Sequence, residues 1–416
     1  MPVSDRSDIP IRPAEGDARE INPRVLRWAR ETAGLTLDEA AERLGLTTSA
    51  RSSAADKLAY IESGRKAPSV AQLLRAATTY RRPLTVFYLA DPPARGERGE
   101  DFRTTGAQIT PRDNAILDAL LRDLRARQQL LRAMLEDEEE AAPLPFVGTA
   151  LVDDDPIRVA AAIRSRLGVT LSAQREARGP DLLFALLRTA AERVGVYVLL
   201  LGDVGSYHTD IGENVFRGIA IADAVAPFIV INDNDAQAAR AFTLLHELAH
   251  IWVGASGVSG PLASPAPKVE RFCNDVASEL LLPAAELAVS PIIPAADFQT
   301  VLRSAEELAR AWNVSQALVT YRYLRRGWIS AQMAAELFSY FAERLRRQKQ
   351  QSSANRDPES AGPSYYTVRR HRLGRALLDV VRRGLQGDVI THTKAAKILG
   401  VSPASVGPLL ARPEVA

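Results

Sequence analysis

Apolar residues recur at helical spacing along most of this chain, and only a few short runs alternate or cluster as strands do. From Asn22, NPRVLRWARETAG places Val25, Leu26, Ala29 and Ala33 on one helical face, with Gly34 as its stop. TLDEAAERLG follows, with Thr36 as cap and Glu39 completing a capping box. KLAYIESGRKAPSVAQLLRAATTYRRPLTVFYL then predicts a helix ended at Gly64, a new start at Pro68–Ser69, and an apolar helix after Pro83. Residues 111–141 form one long amphipathic helix striped with Leu117, Leu120, Leu121, Leu124, Leu131, Met134 and Leu135. The acidic run Glu136–Glu140 reads as its solvated end.

Helices are expected at 156–167 and 181–194. VYVLLL (196–201) reads as a short buried strand, and FRGIAIADAVAPFIVIND as a hairpin with strands 217–222 and 228–232. Helices dominate from 236 to 347. Punctuation divides the chain into an extended or disordered start (1–18), a helical bundle (19–91), and a linker with the long helix (92–150). A larger domain (151–347), a flexible linker QKQQSSANRDPESAGPS (348–364) and a small basic helical domain (365–416) follow. No fixed-period repeat is present. The expected fold class is mainly α with a small β-sheet, α+β.

At 416 residues the chain has length for two or three domains, and 46% hydrophobic with 25% charged residues is an ordinary globular composition. No apolar run reaches membrane-spanning length and the first residues hold no signal-peptide core. Cys273 is the single cysteine, so no internal disulfide can form, and a cytoplasmic protein without a membrane partner is expected. The net charge of +2 conceals two basic ends: residues 19–90 hold 12 Lys/Arg against 7 Asp/Glu, and residues 366–416 hold 9 against 3. Basic ends suit a polyanion partner, or are solvated surface.

The candidate chemistry lies in ARAFTLLHELAHIWVG (239–254). His246 and His250 are four residues apart, so on a helix they share one face and can chelate one metal ion. Zinc takes imidazole and carboxylate ligands tetrahedrally and keeps one position open for water in a catalytic site. Glu247 can reach that water as general base and pass its proton to a leaving amine. A third ligand is offered by Glu270, in the helix KVERFCNDVASELLLP. It stands off the apolar stripe of Val269, Phe272, Cys273, Val276, Ala277 and Leu280. Asn274, one turn on, can orient a histidine or the Glu270 carboxylate. The alternative is a buried helix that merely contains two of the chain's five histidines. His208 follows a strand and either assists the site or sits on a surface loop; His371 and His392 read as surface residues. The hairpin either offers an exposed edge strand to an extended polypeptide or only covers the helix.

FRGIAIADAVAPFIVINDNDAQAARAFTLLHELAHIW, followed by VERFCNDVASELLLP, resembles the ImmA/IrrE-type metallopeptidases. The matching features are Ile231-Asn232 ending the hairpin, Arg240-Ala241-Phe242-Thr243 leading into the HExxH motif, and Glu270 to Asn274 closing with Leu282-Pro283. The resemblance covers about residues 180–330. It implies a gluzincin-like domain with Zn2+ held by His246, His250 and Glu270 and with Glu247 catalytic. Asn232, Asn274 and Arg322, the last in VSQALVTYRYLRRGWIS, are expected to support the ligands or the substrate.

The first domain resembles the helix-turn-helix of the xenobiotic-response-element class, on TLDEAAERLG, IESGRKAPS and QLLRAATTYRRPLTVFYLADPP. Fusions of that domain to an ImmA/IrrE peptidase are similar in layout, including DFR (101–103) after the linker. LTTSARSSAADKLAYIE departs from the pattern: the turn is lengthened, so the reader helix is displaced or rebuilt. Arg51, Lys57, Arg65 and Lys66 are the expected phosphate contacts; the alternative is a protein-docking bundle. GDVITHTKAAKILGVSPASVGPLL (387–410) looks like a second helix-turn-helix core capped by Thr393, or a structural cap.

Together these readings lead to a zinc endopeptidase that controls transcription. Its expected substrate is a helix-turn-helix repressor protein, cut in response to stress or DNA damage, with DNA bound through the first domain. A different class stays open, a DNA-binding regulator or antitoxin whose peptidase fold senses without cutting. So do an interaction module with structural zinc, and an oligomer.

Overall fold

Local capping decides where the first helices begin. Thr36, Ser53 and Ser69 each accept from the backbone N–H three residues on, and Glu39, Asp56 and Gln72 accept from the cap's own N–H in return. The computed structural model describes residues 20–93, 100–101, 110–139, 141–203, 209–260, 267–288, 297–354 and 364–411. It divides into two compact units, Met1–Glu97 and Arg98–Ala416. The first holds α1 (Pro23–Thr32), α2 (Leu37–Arg43), α3 (Ala54–Glu62), α4 (Val70–Thr79) and a 3-10 turn, Leu84–Tyr88. Val25, Leu26, Leu58, Ile61, Leu73 and Phe87 form its core. Inside it the Arg30 guanidinium grips Glu62 through two bonds of 2.7 and 3.0 Å and donates to the Leu35 carbonyl at 2.9 Å. These bonds tie α1 to the end of α3.

The second unit is built on a five-stranded sheet of β1 (Glu100–Asp101), β2 (Tyr197–Leu200), β3 (Gly218–Ile221), β4 (Phe228–Ile231) and β5 (Gly257–Ser259). Their spatial order is β1-β5-β3-β4-β2. The expected hairpin forms, with Gly218 opposite Ile231 and Ile221 opposite Phe228. Asp223 fixes its turn by accepting from the Val225 and Ala226 N–H groups. Neither hairpin strand is an edge, because β5 flanks β3 and β2 flanks β4. The expectation of an exposed hairpin edge for an extended polypeptide is therefore corrected, since the backbone groups it required are already paired.

Every residue of β2 to β5 is buried, and the two faces alternate as a pleated strand requires. Val198, Leu200, Ala220, Ile229 and Ile231 face one core. It is completed by helices α6 (Pro156–Leu167), α8 (Pro180–Arg193), α9 (Gln237–Val253), α10 (Lys268–Leu281), α12 (Phe298–Trp312), α13 (Gln316–Arg325) and α14 (Ala331–Ala354), with short α7 (Leu171–Glu176) and α11 (Ala284–Leu287) between them. Leu199, Ile219, Phe228, Val230 and Val258 face the other core. There α5 (Pro111–Asp137) packs with α15 (Tyr365–Leu373), α16 (Arg375–Gln386), α17 (His392–Leu399) and α18 (Pro403–Leu410). The observed class is mainly α with a small sheet.

The last four helices are fastened to the rest of this unit by buried polar contacts. Arg127 of α5 donates to the Ile398 and Leu399 carbonyls at 2.8 and 3.2 Å, satisfying the open end of α17. Glu192 accepts from the Arg375 and Ala376 N–H groups at the start of α16. Arg372 pairs with Asp203 and Asp233, each at 2.7 Å. Two local expectations change. The cap of α17 is Thr391, not Thr393, because the Thr391 hydroxyl accepts from Lys394 N–H and His392 is already helical. Helix α14 runs to Ala354, past the expected linker start at 348. The expectations for residues 1–18, for most of 94–109 including Phe102 and Arg103, and for His208 lie outside the described residues.

Candidate metal centre

Helix α9 is an amphipathic segment whose polar residues Thr243, His246, Glu247 and His250 are nevertheless buried, because α10 covers one flank and strands β3 and β4 the other. Gly254 ends it in the left-handed conformation at φ 77°, which a residue without Cβ adopts freely. The Ala255 N–H then closes onto the His250 carbonyl at 3.0 Å. This leaves the His246 and His250 rings directed together from successive turns, with their Nε2 atoms 3.1 Å apart.

Glu270 comes from the first turn of α10. Its Oε1 lies 2.8 Å from His250 Nε2 and its Oε2 3.3 Å from His246 Nε2. A tetrahedral zinc with bonds of about 2.0–2.1 Å has ligand atoms about 3.3 Å apart, so these separations fit three vertices of one coordination shell. Two imidazoles and a carboxylate are also the donor set zinc takes. Among the described residues this is the one group of three that could hold a metal ion. Asn274 is buried one turn further along α10. Cys273 is buried in the apolar core, and burial pushes its thiol pKa up.

Glu247 is wholly buried, at 0% exposure, and neither carboxylate oxygen has a hydrogen-bond partner among the described residues. Burial pushes its carboxyl up to about 8, with His246 opposing and Glu270 reinforcing that shift. Burial also acts to raise Glu270, but the two histidines beside it prevail and hold it near 2. Burial thus pushes one carboxyl group up while the neighbouring histidines hold the other down. The space for Glu247 is made by Gly218 on β3: a Cβ there would stand 2.6 Å from the Glu247 Cδ. Ser259, paired with Gly218 across the strands, brings its hydroxyl 3.2 Å from His246 Nε2. Gly218 and Ser259 were not singled out from sequence, because their place depends on strand register.

The other expected residues stand one layer further out. Asn232 donates to the Ile211 and Phe216 carbonyls, both at 3.0 Å, and so holds the segment 211–216 beneath the sheet. Arg322 pairs with Glu279 at 2.6 Å, bracing the far end of α10. In the first unit Arg51, Arg65 and Lys66 are exposed, Arg51 in the loop of residues 44–53 and the other two between α3 and α4. Arg65 stacks over Tyr60 at 5.6 Å. Lys57 is half-buried and donates to the Thr47 carbonyl at 2.5 Å, bracing the lengthened loop. A helix, α3, follows the lengthened loop of residues 44–53.

Comparison with known families agrees with both units. Residues 191–324 match the IrrE N-terminal-like domain, and residues 24–86 match a helix-turn-helix domain. No curated protein and no solved structure matches the chain. The two matches give it the layout of a transcriptional regulator that carries a peptidase-like domain. Among the described residues no helix is long and apolar enough to cross a membrane.

Proposed function

We propose that this chain, a helix-turn-helix domain joined to an IrrE-type peptidase domain, is a zinc-dependent endopeptidase that controls transcription by cutting a repressor protein under stress or DNA damage. The observation that carries the reading is the convergence of His246, His250 and Glu270 on one point beside the buried, unpartnered Glu247. His246, His250 and Glu270 would hold the zinc, and Asn274, one turn from Glu270 on α10, would support the ligands. Bound there, zinc supplies Lewis acidity to polarise a peptide carbonyl and activate a water molecule. Glu247 takes the proton released on attack, holds it on a carboxyl oxygen and returns it to the leaving amine.

The test compares wild type with Glu247→Gln for zinc content and for cleavage of repressor proteins encoded beside the gene. Glu247→Gln is expected to keep one zinc per chain and to lose cleavage by about 100-fold or more, the usual contribution of a general base. Cleavage by that variant at the wild-type rate would falsify the assignment.

The closed character of the site favours one further reading. His246, Glu247, His250 and Glu270 are all at most 4% exposed, which suits a peptidase fold used as a sensor by a DNA-binding regulator. Transcript levels in the host separate the two. In the sensor reading Glu247→Gln matches wild type, while Arg65→Ala/Lys66→Ala matches a deletion.

A further inference from the structure

The metal centre lies against β3 and β5, and one strand edge there can carry a polypeptide to it. Gly218 of β3 faces Glu247, and Ser259 of β5 brings its hydroxyl to 3.2 Å from His246 Nε2. Strand β3 is paired on both sides, by β4 and by β5. Strand β2, at the far end of the sheet, lies beyond β4 and supplies neither residue. The outer edge of β5 remains. Neighbouring strands run about 4.8 Å apart, so a backbone paired to this edge at Ser259 would pass within one strand spacing of a residue that hydrogen-bonds His246.

That edge is filled by the chain itself. Strand β1 pairs with β5 in parallel, Glu100 with Gly257 and Asp101 with Val258, and the register runs towards Ser259. It is a weak strand by every local measure. It has two residues where strands usually have about 3–10. Parallel pairs are slightly less stable per residue than antiparallel ones, and aspartate and glutamate are depleted from strands. Two adjacent acids on the outermost strand also deter a further chain from adding outside it. Such a strand covers an edge yet gives way to a longer segment of better strand formers. The burial of His246, Glu247, His250 and Glu270 fits a site covered at rest. We propose that β1 is an internal competitor of the polypeptide substrate: it holds the β5 edge on which an extended peptide would pair by strand addition, and its release is a step in substrate capture. The inference rests on the peptidase reading for the nature of that peptide, and adds to it how the site is kept closed. An open state populated about 10% of the time weakens apparent affinity about tenfold, and removing the competitor restores it.

The experiment follows the fluorescence anisotropy of labelled β-casein, an unfolded polypeptide, with the zinc-loaded full-length protein carrying Glu247→Gln so that the probe stays whole. Glu100→Pro/Asp101→Pro removes the N–H groups that β1 can donate to β5, and is expected to tighten casein binding about tenfold. Glu100→Val/Asp101→Val, which raises strand propensity, is expected to weaken it. Amide exchange in β5 should quicken in the first variant and slow in the second. Circular dichroism checks folding, and if the proline variant does not fold, the valine variant decides. The inference is overturned by equal affinities in all forms, by no casein binding in any of them, or by weaker binding in the proline variant. Casein cleavage by the same substitutions with Glu247 intact keeps the two readings apart. Affinities in the expected order while no form cleaves casein would uphold the role of β1 and refute the peptidase reading. Cleavage that neither pair of substitutions changes would do the reverse.

Discussion

Gly218 and Glu247 are packed so closely that the strand residue can carry no side chain: a Cβ on Gly218 would stand 2.6 Å from Cδ and 2.8 Å from Cγ of Glu247. The conformation of Gly218 does not demand glycine, since its φ is not positive. Its requirement is room. A buried carboxyl group beside three potential metal ligands is thereby seated between the helix and the sheet, and the neighbouring strand contributes Ser259 at the same level.

Gly218→Ala is expected to displace the Glu247 carboxylate while leaving His246, His250 and Glu270 able to bind. Zinc stoichiometry should stay at one per chain, and peptide cleavage should fall by about 100-fold, as for loss of a general base. Metal analysis alongside a cleavage assay checks this. Full activity in the alanine variant would mean that Glu247 does not act from its observed position.

What the sequence made legible was whatever is set by local spacing. The Thr36–Glu39 capping box, the i, i+4 pair of His246 and His250, and the Glu270 helix are all readable over a turn or two of helix. Residues whose role depends on distant partners were not. Gly218 and Ser259 acquire their meaning only when β3 and β5 pair. Arg127 lies in an apolar stripe, yet it caps a helix 271 residues away. The basic C-terminal segment reads from sequence as a separate small helical domain, although its helices share a core with the sheet, because an amphipathic pattern does not name the face it covers.

Asn274 supports a different prediction, on affinity and not on chemistry. It is buried one turn from Glu270 on α10, and groups that orient a metal ligand typically tune metal affinity by about 10- to 100-fold. Asn274→Ala should weaken zinc binding by that factor in a competition with a fluorescent chelator. Activity at saturating zinc should be largely restored. Unchanged affinity would reduce Asn274 to a packing residue.

Metal removal should act on one unit of the chain only. A ligand at about 100 times its dissociation constant stabilises the folded state by about 2.7 kcal/mol. A unit as long as Arg98–Ala416 shifts its melting temperature by about 1.5 °C per kcal/mol, at about 2.1 cal/mol/K of unfolding entropy per residue. EDTA is therefore expected to lower the melting of the sheet-containing unit by about 4 °C. Scanning calorimetry should show the transition of the Met1–Glu97 unit unmoved.

The Arg30–Glu62 pair governs stability in the first unit. Both side chains are nearly inaccessible, at 10% and 1% exposure, so removing one leaves the other charge buried and poorly compensated. Glu62→Ala should cost about 3–5 kcal/mol, whereas an apolar replacement of both partners should be far milder. Amide exchange of α1 and α3 across a urea series reads the difference. A loss below about 1 kcal/mol would place the pair with exposed ion pairs.

The last prediction separates the basic residues of the first unit from one another. Arg65 and Lys66 stand exposed between α3 and α4, where they can meet a phosphate backbone, while the Lys57 ammonium is engaged with the Thr47 carbonyl at 2.5 Å. Each phosphate contact adds about 0.9 to the slope of log affinity against log salt concentration. Arg65→Ala/Lys66→Ala should therefore lower that slope by about 1.8 if both residues touch phosphate, with affinity lost evenly across sequences. Lys57→Ala should leave the slope unchanged and instead loosen the loop of residues 44–53. Fluorescence anisotropy with a duplex from the gene's own upstream region, between 50 and 200 mM KCl (roughly the range over which such contacts are lost), measures both. A slope indifferent to the first pair and sensitive to Lys57 would move the contact surface from the α3–α4 loop to the inserted turn.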